Sequence, residues 1–503
     1  MMQRIININK LKNTLIVGLL SLMGCSDFLY QEPNTQISID EQFSTEEGLL
    51  QTVNGIYYKL ESLVSGKYFV YADMLGGNVT FTPNGSSELQ ISSTVENAFA
   101  YDDKEDDSDY YYFYKDAYSV INQANMILLH LNDAADVEMS KRQQIQAEVT
   151  AIRGYLHYIV SQLYSQNMNY TSDGSHLGII YNTSVLEAGK DYPSRETKND
   201  TYTLIMSDLN EALSLFTGES ALDYGPANTY LNAINTKALI ARIALDHGQW
   251  ATAFAAADSV LNNTTTPFIA KDDYIEAWTS STAMPEALME LSTPVDIAFA
   301  PSSSLSNEFF YYYITTNTST NTSYLTYQSQ GFVASSDLIN TFESNDIRLQ
   351  LYTPIAISAI TNGIKADSTF YFVEKFQNDH KTTIMRLSEL YLIRSEARFM
   401  MNNSNLTDAL ADLNVTRERA GLTALHDLIA EEYMDELYLE RRRELAFEGH
   451  LFFDHMRFQK EVSRGEDSYG APQKLSYPNE KFVLPLPKST LDVNEYLEQN
   501  EDY

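Results

Sequence analysis

The chain has one cysteine in 503 residues, so no disulfide can staple it and its body must be held by a core of its own. Long apolar runs are missing too. The stretch from Leu15 to Met23 falls well short of the roughly twenty apolar residues that a membrane-spanning helix needs, and no other segment comes closer. Positive charge is scarce: 34 Lys and Arg stand against 68 Asp and Glu, a formal net charge of −34. Such a surface repels nucleic acid and anionic lipid, and no nucleic-acid partner is expected. The acids are scattered, as solubility alone requires, apart from the run Asp102-Asp103-Lys104-Glu105-Asp106-Asp107, which reads as a solvated loop. No phosphate-binding loop and no dinucleotide fingerprint occurs, so no cofactor is implied.

What is present starts with a signal. Arg4, Lys10 and Lys12 precede the apolar stretch, and the small Gly24 precedes Cys25, the pattern of a secretory leader over residues 1–24. Leu22-Met23-Gly24-Cys25 resembles a bacterial lipobox. Cys25 is therefore expected to carry lipid and to begin a mature chain, residues 25–503, read as a single domain. Each acyl chain contributes about 0.8 kcal/mol per buried CH₂, enough in combination to hold the protein on a membrane.

Helical periodicity is clearest in Ile145, Val149, Ile152, Leu156, Ile159 and Leu163, which fall on one face of a long helix. A second pattern runs through Ile234, Ala238, Ala241 and Leu245, breaks at His247-Gly248, and resumes with Phe254, Ala257 and Leu261. A third runs through Leu390, Ile393, Ala397 and Met400, breaks at Asn402 to Asn405, and resumes through Ala409 and Leu413 to a stop near Gly421. These are two helical hairpins with small residues at their crossings, which suggests tetratricopeptide-like pairing without a strict repeat. The expected fold is mostly α, a tetratricopeptide-like scaffold over 40–70, 110–265 and 386–460. Long irregular loops and a few short strands are expected over 73–109, 266–385 and 466–503, where Ser, Thr, Asn, Pro and aromatic residues replace the periodicity.

Several segments together resemble the SusD/RagB family. Cys25-Ser26-Asp27-Phe28-Leu29 is followed by Pro33; Glu148 to Tyr155 looks like the family's Glu-x-x-x-Leu-Arg-Ala-Tyr helix; Arg386-Leu387-Ser388-Glu389 looks like its Arg-Leu-Ala-Glu counterpart. The most specific stretch is Arg443 to Arg457, with Glu444, Phe447, Glu448, Gly449, Asp454 and Arg457 at matching places and Leu451 where arginine is usual. Leu484-Pro485-Leu486-Pro487, Asn494 and Gln499 to Tyr503 resemble the family ending, with Glu501-Asp502 replacing Pro-Gly.

That resemblance implies a helical lipoprotein on the outer membrane, probing the cell exterior and catalysing nothing. It implies docking on a SusC-like TonB-dependent transporter, to which captured oligosaccharides or other small polymer fragments are passed. A peptide-binding member, a surface glycoside hydrolase and an adhesive surface protein are the alternatives. Family members carry ligand contacts in the loop after the first helices and in the insertion between the hairpins, here 73–101 and 292–333. The candidates are Asp73, Asn78, Phe81 and Tyr101 in the first, and Tyr311, Tyr312, Tyr313, Tyr324 and Tyr327 in the second.

The 35 tyrosines exceed the usual share in soluble proteins, so many are expected at the surface, where a ring can face the C–H groups of a sugar, although edge packing under loops is expected for most. Trp250 and Trp278 are read as core. His450, Asp454 and His455 beside Glu444 and Glu448 could be imagined as a metal or carboxylate site, but no metal is expected, because ligands must converge on one face. Arg443 and Arg457 are expected to neutralise these acids, and Arg153, Glu448 and Asp454 to be structural.

Overall fold

Helical hairpins dominate the computed structural model, which describes residues 38–82, 92–187, 189–222, 225–292, 305, 309, 312–317, 322–327, 331–361, 364–376, 381–465, 467 and 473–503. Helices α1 (Ile39–Phe43) and α2 (Glu46–Leu63) open it, and α2 continues through one π turn into α3 (Phe69–Gly76). After strand β1 (Val79–Phe81) and helix α4 (Ser93–Ala100) come α5 (Tyr111–His130), α6 (Met139–Tyr164) and α7 (Lys198–Leu215). The predicted long helix is α6, and Ile145, Val149, Ile152, Leu156, Ile159 and Leu163 are all fully buried.

Both predicted hairpins form. Helices α8 (Ala233–Asp246) and α9 (Trp250–Asn263) break where expected, at His247 and at Gly248, whose φ of +66° suits glycine. Their start is set by Asn232, whose side chain accepts from the Ile234 and Asn235 amides while the Asn235 side chain accepts from the Asn232 amide. A short helix α10 (Tyr274–Thr279) and the strands intervene before α12 (Leu387–Met401) and α13 (Leu406–Arg419), followed by α14 (Ala430–Glu444) and α15 (Leu451–Arg457). Buried ion pairs join the helices: Arg153 of α6 meets Asp208 of α7 at 2.7 Å, and Arg242 of α8 ties one hairpin to the other through Glu389 of α12 at 2.6 Å. One continuous hydrophobic cluster extends from Phe43 to Leu497, so the irregular C-terminal segment packs on the same core as the first helix.

The loop-rich stretches hold more order than their sequence suggests. Helix α4 lies inside the stretch read as loop. Between the hairpins lie β2 (Ala287–Ser292), β3 (Tyr312–Asn317), β4 (Thr322–Tyr327), β5 (Phe332–Ala334), a one-turn helix α11 (Ser336–Ile339), β6 (Tyr352–Thr361), β7 (Ile364–Val373) and β8 (Lys381–Arg386). Strands β6 and β7 are ten residues each, longer than the short strands expected. Pro354 disguises β6 in the sequence; it is tolerated because β6 is an edge strand of the sheet ordered β1-β5-β7-β6.

Candidate ligand-binding site

The two segments singled out from the sequence meet in the structure. Strand β1 of the first pairs antiparallel with β5 at the end of the second, in the register Val79 to Ala334, Thr80 to Val333 and Phe81 to Phe332. The ladder is extended by the Thr82 amide donating to the Gly331 carbonyl (3.1 Å) and the Ser335 amide donating to Asn78 (2.8 Å). The third loop-rich segment joins them: the Thr80 hydroxyl donates to the Asp467 carbonyl at 2.6 Å, and the Asp467 carboxylate accepts from the Ser336 amide at 2.8 Å. Arg464 lies 4.2 Å over the Phe99 ring and 4.9 Å over Tyr101. The backbone therefore gathers all three irregular regions around one short ladder.

Four of the candidate contacts belong to the interior, which corrects their reading as ligand residues. Asp73 and Asn78 are fully buried, and Phe81 and Tyr101 are 2% and 5% exposed. Asp73 accepts from the Phe447 amide (2.8 Å), the Gly449 amide (3.0 Å) and the Asn78 side chain (2.7 Å). It clamps a turn in which Phe447 and Gly449 both have positive φ, and a Cβ on Gly449 would stand 2.6 Å from the Phe69 ring. Burial pushes the Asp73 carboxyl up to about 6, against the pull of these donors and of Lys375. Asn78 passes the clamp on, accepting from Arg442 at 2.9 Å. Phe81 meets Phe99 edge to face at 5.0 Å, and the Tyr101 hydroxyl donates to the Leu75 carbonyl at 2.6 Å. A sequence offers polar and aromatic residues after a helix; it does not show that α3 ends inside the molecule, so that these side chains turn inward.

Of the second group, Tyr311 lies outside the described residues, as does Cys25. Strands β3 and β4 form a hairpin whose register sets Tyr312 across from Tyr327, Tyr313 across from Thr326, and Tyr324 across from Thr315. The side chains of Tyr312, Tyr313, Tyr324 and Tyr327 fall outside the described set, so their placement rests on this backbone register alone.

Beneath the ladder runs a column of rings. Phe309 lies 6.1 Å from Phe332, 4.9 Å from Phe447 and 6.0 Å from Phe376, which meets Trp278 at 5.7 Å. Trp278 is core, as expected, and carries Lys375 over its face at 4.2 Å; Trp250 is half-buried at the start of α9. Below lies a buried charge network. Arg386 bonds Glu286 and Glu444 at 2.6 Å and Glu448 at 2.7 Å; Lys375 bonds Glu448 at 2.6 Å; Arg348 bonds Asp346, Glu440 and Glu444; Arg419 bonds Glu444.

These guanidiniums outweigh desolvation and hold Glu440, Glu444 and Glu448 below the usual carboxylate range. The sequence reading misassigned one partner: Arg443 pairs with Glu440 and Glu436, whereas Arg386, Arg348 and Arg419 neutralise Glu444. Arg457 does meet Asp454, together with Arg441 at 2.9 Å. Carboxylates buried and locked in this way cannot exchange protons with a substrate. Among the described residues no group of three or more His, Cys, Asp or Glu side chains could hold a metal ion.

Most of the described tyrosines are buried or half-buried. Among the described side chains only Tyr58, Tyr112, Tyr192 and Tyr496 are exposed; many others, Tyr71, Tyr155, Tyr158 and Tyr164 among them, are core. Two open cavities, of about 490 Å³ against Arg142, Gln146 and Glu211 and of about 610 Å³ against Glu46, Glu47 and Asp136, include no residue of the ladder. No helix among the described residues is long and apolar enough to cross a membrane.

Comparison with known proteins places this geometry in a family. A family model described as "Starch-binding associating with outer membrane" matches residues 27–245, and the SusD family model matches residues 308–503. A SusD superfamily protein from Bacteroides thetaiotaomicron has a solved structure that superposes with a TM-score of 0.75 at 23% identity, covering 91% of this chain and 99% of that one. A putative sugar binding protein from Bacteroides vulgatus gives 0.74 at 20% identity, over 92% and 99%. A SusD-like carbohydrate binding protein from the same species gives 0.71 at 19%, over 90% and 97%. Comparison with curated proteins finds no match. With a SusD-type family model matched on each half, over residues 27–245 and 308–503, the chain belongs to the SusD/RagB family.

Proposed function

We propose that this protein is a lipoprotein of the outer-membrane surface that binds oligosaccharides without cleaving them and hands them to a SusC-like TonB-dependent transporter. Lipid on Cys25 holds it to the membrane. The ligand is taken at the rim around the β1–β5 ladder, with tyrosines of the β3–β4 hairpin as stacking surfaces. The observation that carries the reading is the ladder itself, which draws segments some 250 residues apart, Val79–Phe81 and Phe332–Ala334, to one place and leaves a tyrosine-bearing hairpin beside it in the chain. The matched description, with its starch binding and outer membrane, and the sugar-binding names of two solved relatives supply the ligand class. A tyrosine ring suits that class because its face packs on sugar C–H groups while its hydroxyl reaches a polar edge.

The test is a glycan array followed by calorimetric titration of the best ligand, with product analysis on the same mixture. Binding with an intact glycan is expected. Shortened products would make the protein a hydrolase, and binding of peptides alone would overturn the carbohydrate class. For the anchor, Cys25→Ala should move the protein from the membrane pellet to the soluble fraction; retention in the pellet would show that something else holds it.

A further inference from the structure

We propose that Tyr192, Val493 and Tyr496 form a second contact surface for neutral oligosaccharide, on segments separate from the ladder and the β3–β4 hairpin. These residues are 44%, 68% and 59% exposed, in a chain whose described tyrosines are otherwise largely buried or half-buried. Single exposed apolar side chains need no explanation, but a gathered set marks a place of contact. Here the gathering is built. Asn494, only 7% exposed, donates from its side-chain amide to the Pro193 carbonyl at 2.8 Å and accepts the Tyr496 amide at 3.1 Å. One buried carboxamide thus ties the chain beside Tyr192 to the turn that carries Val493 and Tyr496, segments 300 residues apart in sequence. Of the four tyrosines exposed among the described side chains, two flank that tie.

The surroundings choose the occupant. Asp191, Asp492 and Glu495 are exposed neighbours of the three residues; of the cations nearby, Lys190 pairs with Glu187, Lys488 pairs with Asp492 at 3.0 Å, and the Arg195 guanidinium donates to the Gly178, Glu498 and Tyr164 carbonyls. Carboxylates accept hydrogen bonds from sugar hydroxyls and repel uronate or sulfate groups, so a neutral polyhydroxylated chain fits where an anionic one does not. Tyrosine rings supply the apolar face such a ligand needs. An open, solvated surface of this kind adds affinity to a second site on the same polymer chiefly by raising its effective concentration.

This inference rests on the proposed carbohydrate role, and its test separates the two. Native gels containing soluble starch, dextran, galactomannan or arabinoxylan, with polygalacturonate as the anionic counterpart, are run with the parent protein, Tyr192→Ala/Tyr496→Ala and Tyr312→Ala/Tyr327→Ala. The expected result is retardation of the parent by at least one neutral polymer, and a loss of at least tenfold in apparent affinity for the Tyr192/Tyr496 variant with its melting temperature unchanged. If that variant binds like the parent while the hairpin variant does not, the second surface is wrong and the carbohydrate role stands. Equal retardation by polygalacturonate overturns the neutral class. Retardation of the parent by no polymer overturns this inference together with the function on which it rests. A variant that keeps its glycan but no longer co-purifies with a membrane transporter makes the patch a protein interface instead.

Discussion

The charge network around Arg386 and the ladder joining β1 to β5 are held in opposite ways. In the network every carboxylate has a guanidinium or ammonium partner and every member is almost fully buried, so its geometry is set many times over. The ladder rests on three residue pairs, a few flanking hydrogen bonds and rings beneath it. A region determined by many mutual contacts resists change as a unit, whereas a short ladder carrying long loops can vary its tips without disturbing the body. That division lets one scaffold present different rims.

Removing Arg386 should break the comparison most severely. Arg386→Ala removes the partner that Glu286, Glu444 and Glu448 share and leaves the three to Arg419, Arg348 and Lys375, and breaking a buried pair from one side costs about 3–5 kcal/mol. Thermal melting followed by circular dichroism should show a greatly lowered transition or no folded protein; a shift of only a degree or two would mean that the network contributes little. Asp454→Ala, which leaves Arg441 and Arg457 short of a partner, should cost about 3 kcal/mol while the folded fraction keeps its ligand affinity. Loss of affinity at full stability would move Asp454 from scaffold to site.

Glu61 is the exception within the scaffold. It is 2% exposed in α2, the Ser65 hydroxyl and the Thr382 hydroxyl (3.3 Å) are its hydrogen-bonding neighbours, and one carboxyl oxygen has no partner. Burial raises its pKa from 4.5 to about 7. The folded state therefore keeps the proton to higher pH than the unfolded chain, so this contribution to stability is complete below about pH 4.5 and is lost as pH rises through about 7. Glu61→Gln, which cannot ionise, should gain on the parent between pH 5 and pH 8 by about 2–3 kcal/mol. A difference in melting temperature that does not change with pH would show that Glu61 is paired or hydrated. The smallest effect is expected at Tyr112, which is 68% exposed at the start of α5: Tyr112→Ala should change stability by less than about 0.5 kcal/mol.

The scaffold was legible because its information is local and periodic. The faces of α6, α8, α9, α12 and α13 repeat at helical spacing, and their breaks at His247-Gly248 and Asn402 to Asn405 carry turn residues. Arg153, Glu448 and Asp454, expected to be structural and all within the segments that carry the family resemblance, are buried and ion-paired, Glu448 in the turn after α14. The rim was legible only as a place. Its segments were identified, and β1 and β5 unite them, but Asp73, Asn78, Phe81 and Tyr101 prove to be the supports of that union. Pairing between residues 79 and 334 leaves no periodic trace in either segment, and a three-residue strand is too short to alternate visibly. The tie between Asn494 and Pro193 escaped for the same reason, since it is a single hydrogen bond across three hundred residues.

Differential hydrogen exchange, with and without the glycan selected on the array, bears most directly on the division between scaffold and rim. Amides of residues 79–101 and 312–334 should slow on ligand binding, while those of α12 to α15, already protected within the helices around the Arg386 network, should not change. Protection confined to α12 to α15 or to α6 and α7, with the ladder and hairpin unaffected, would contradict the assignment of the ligand to the rim.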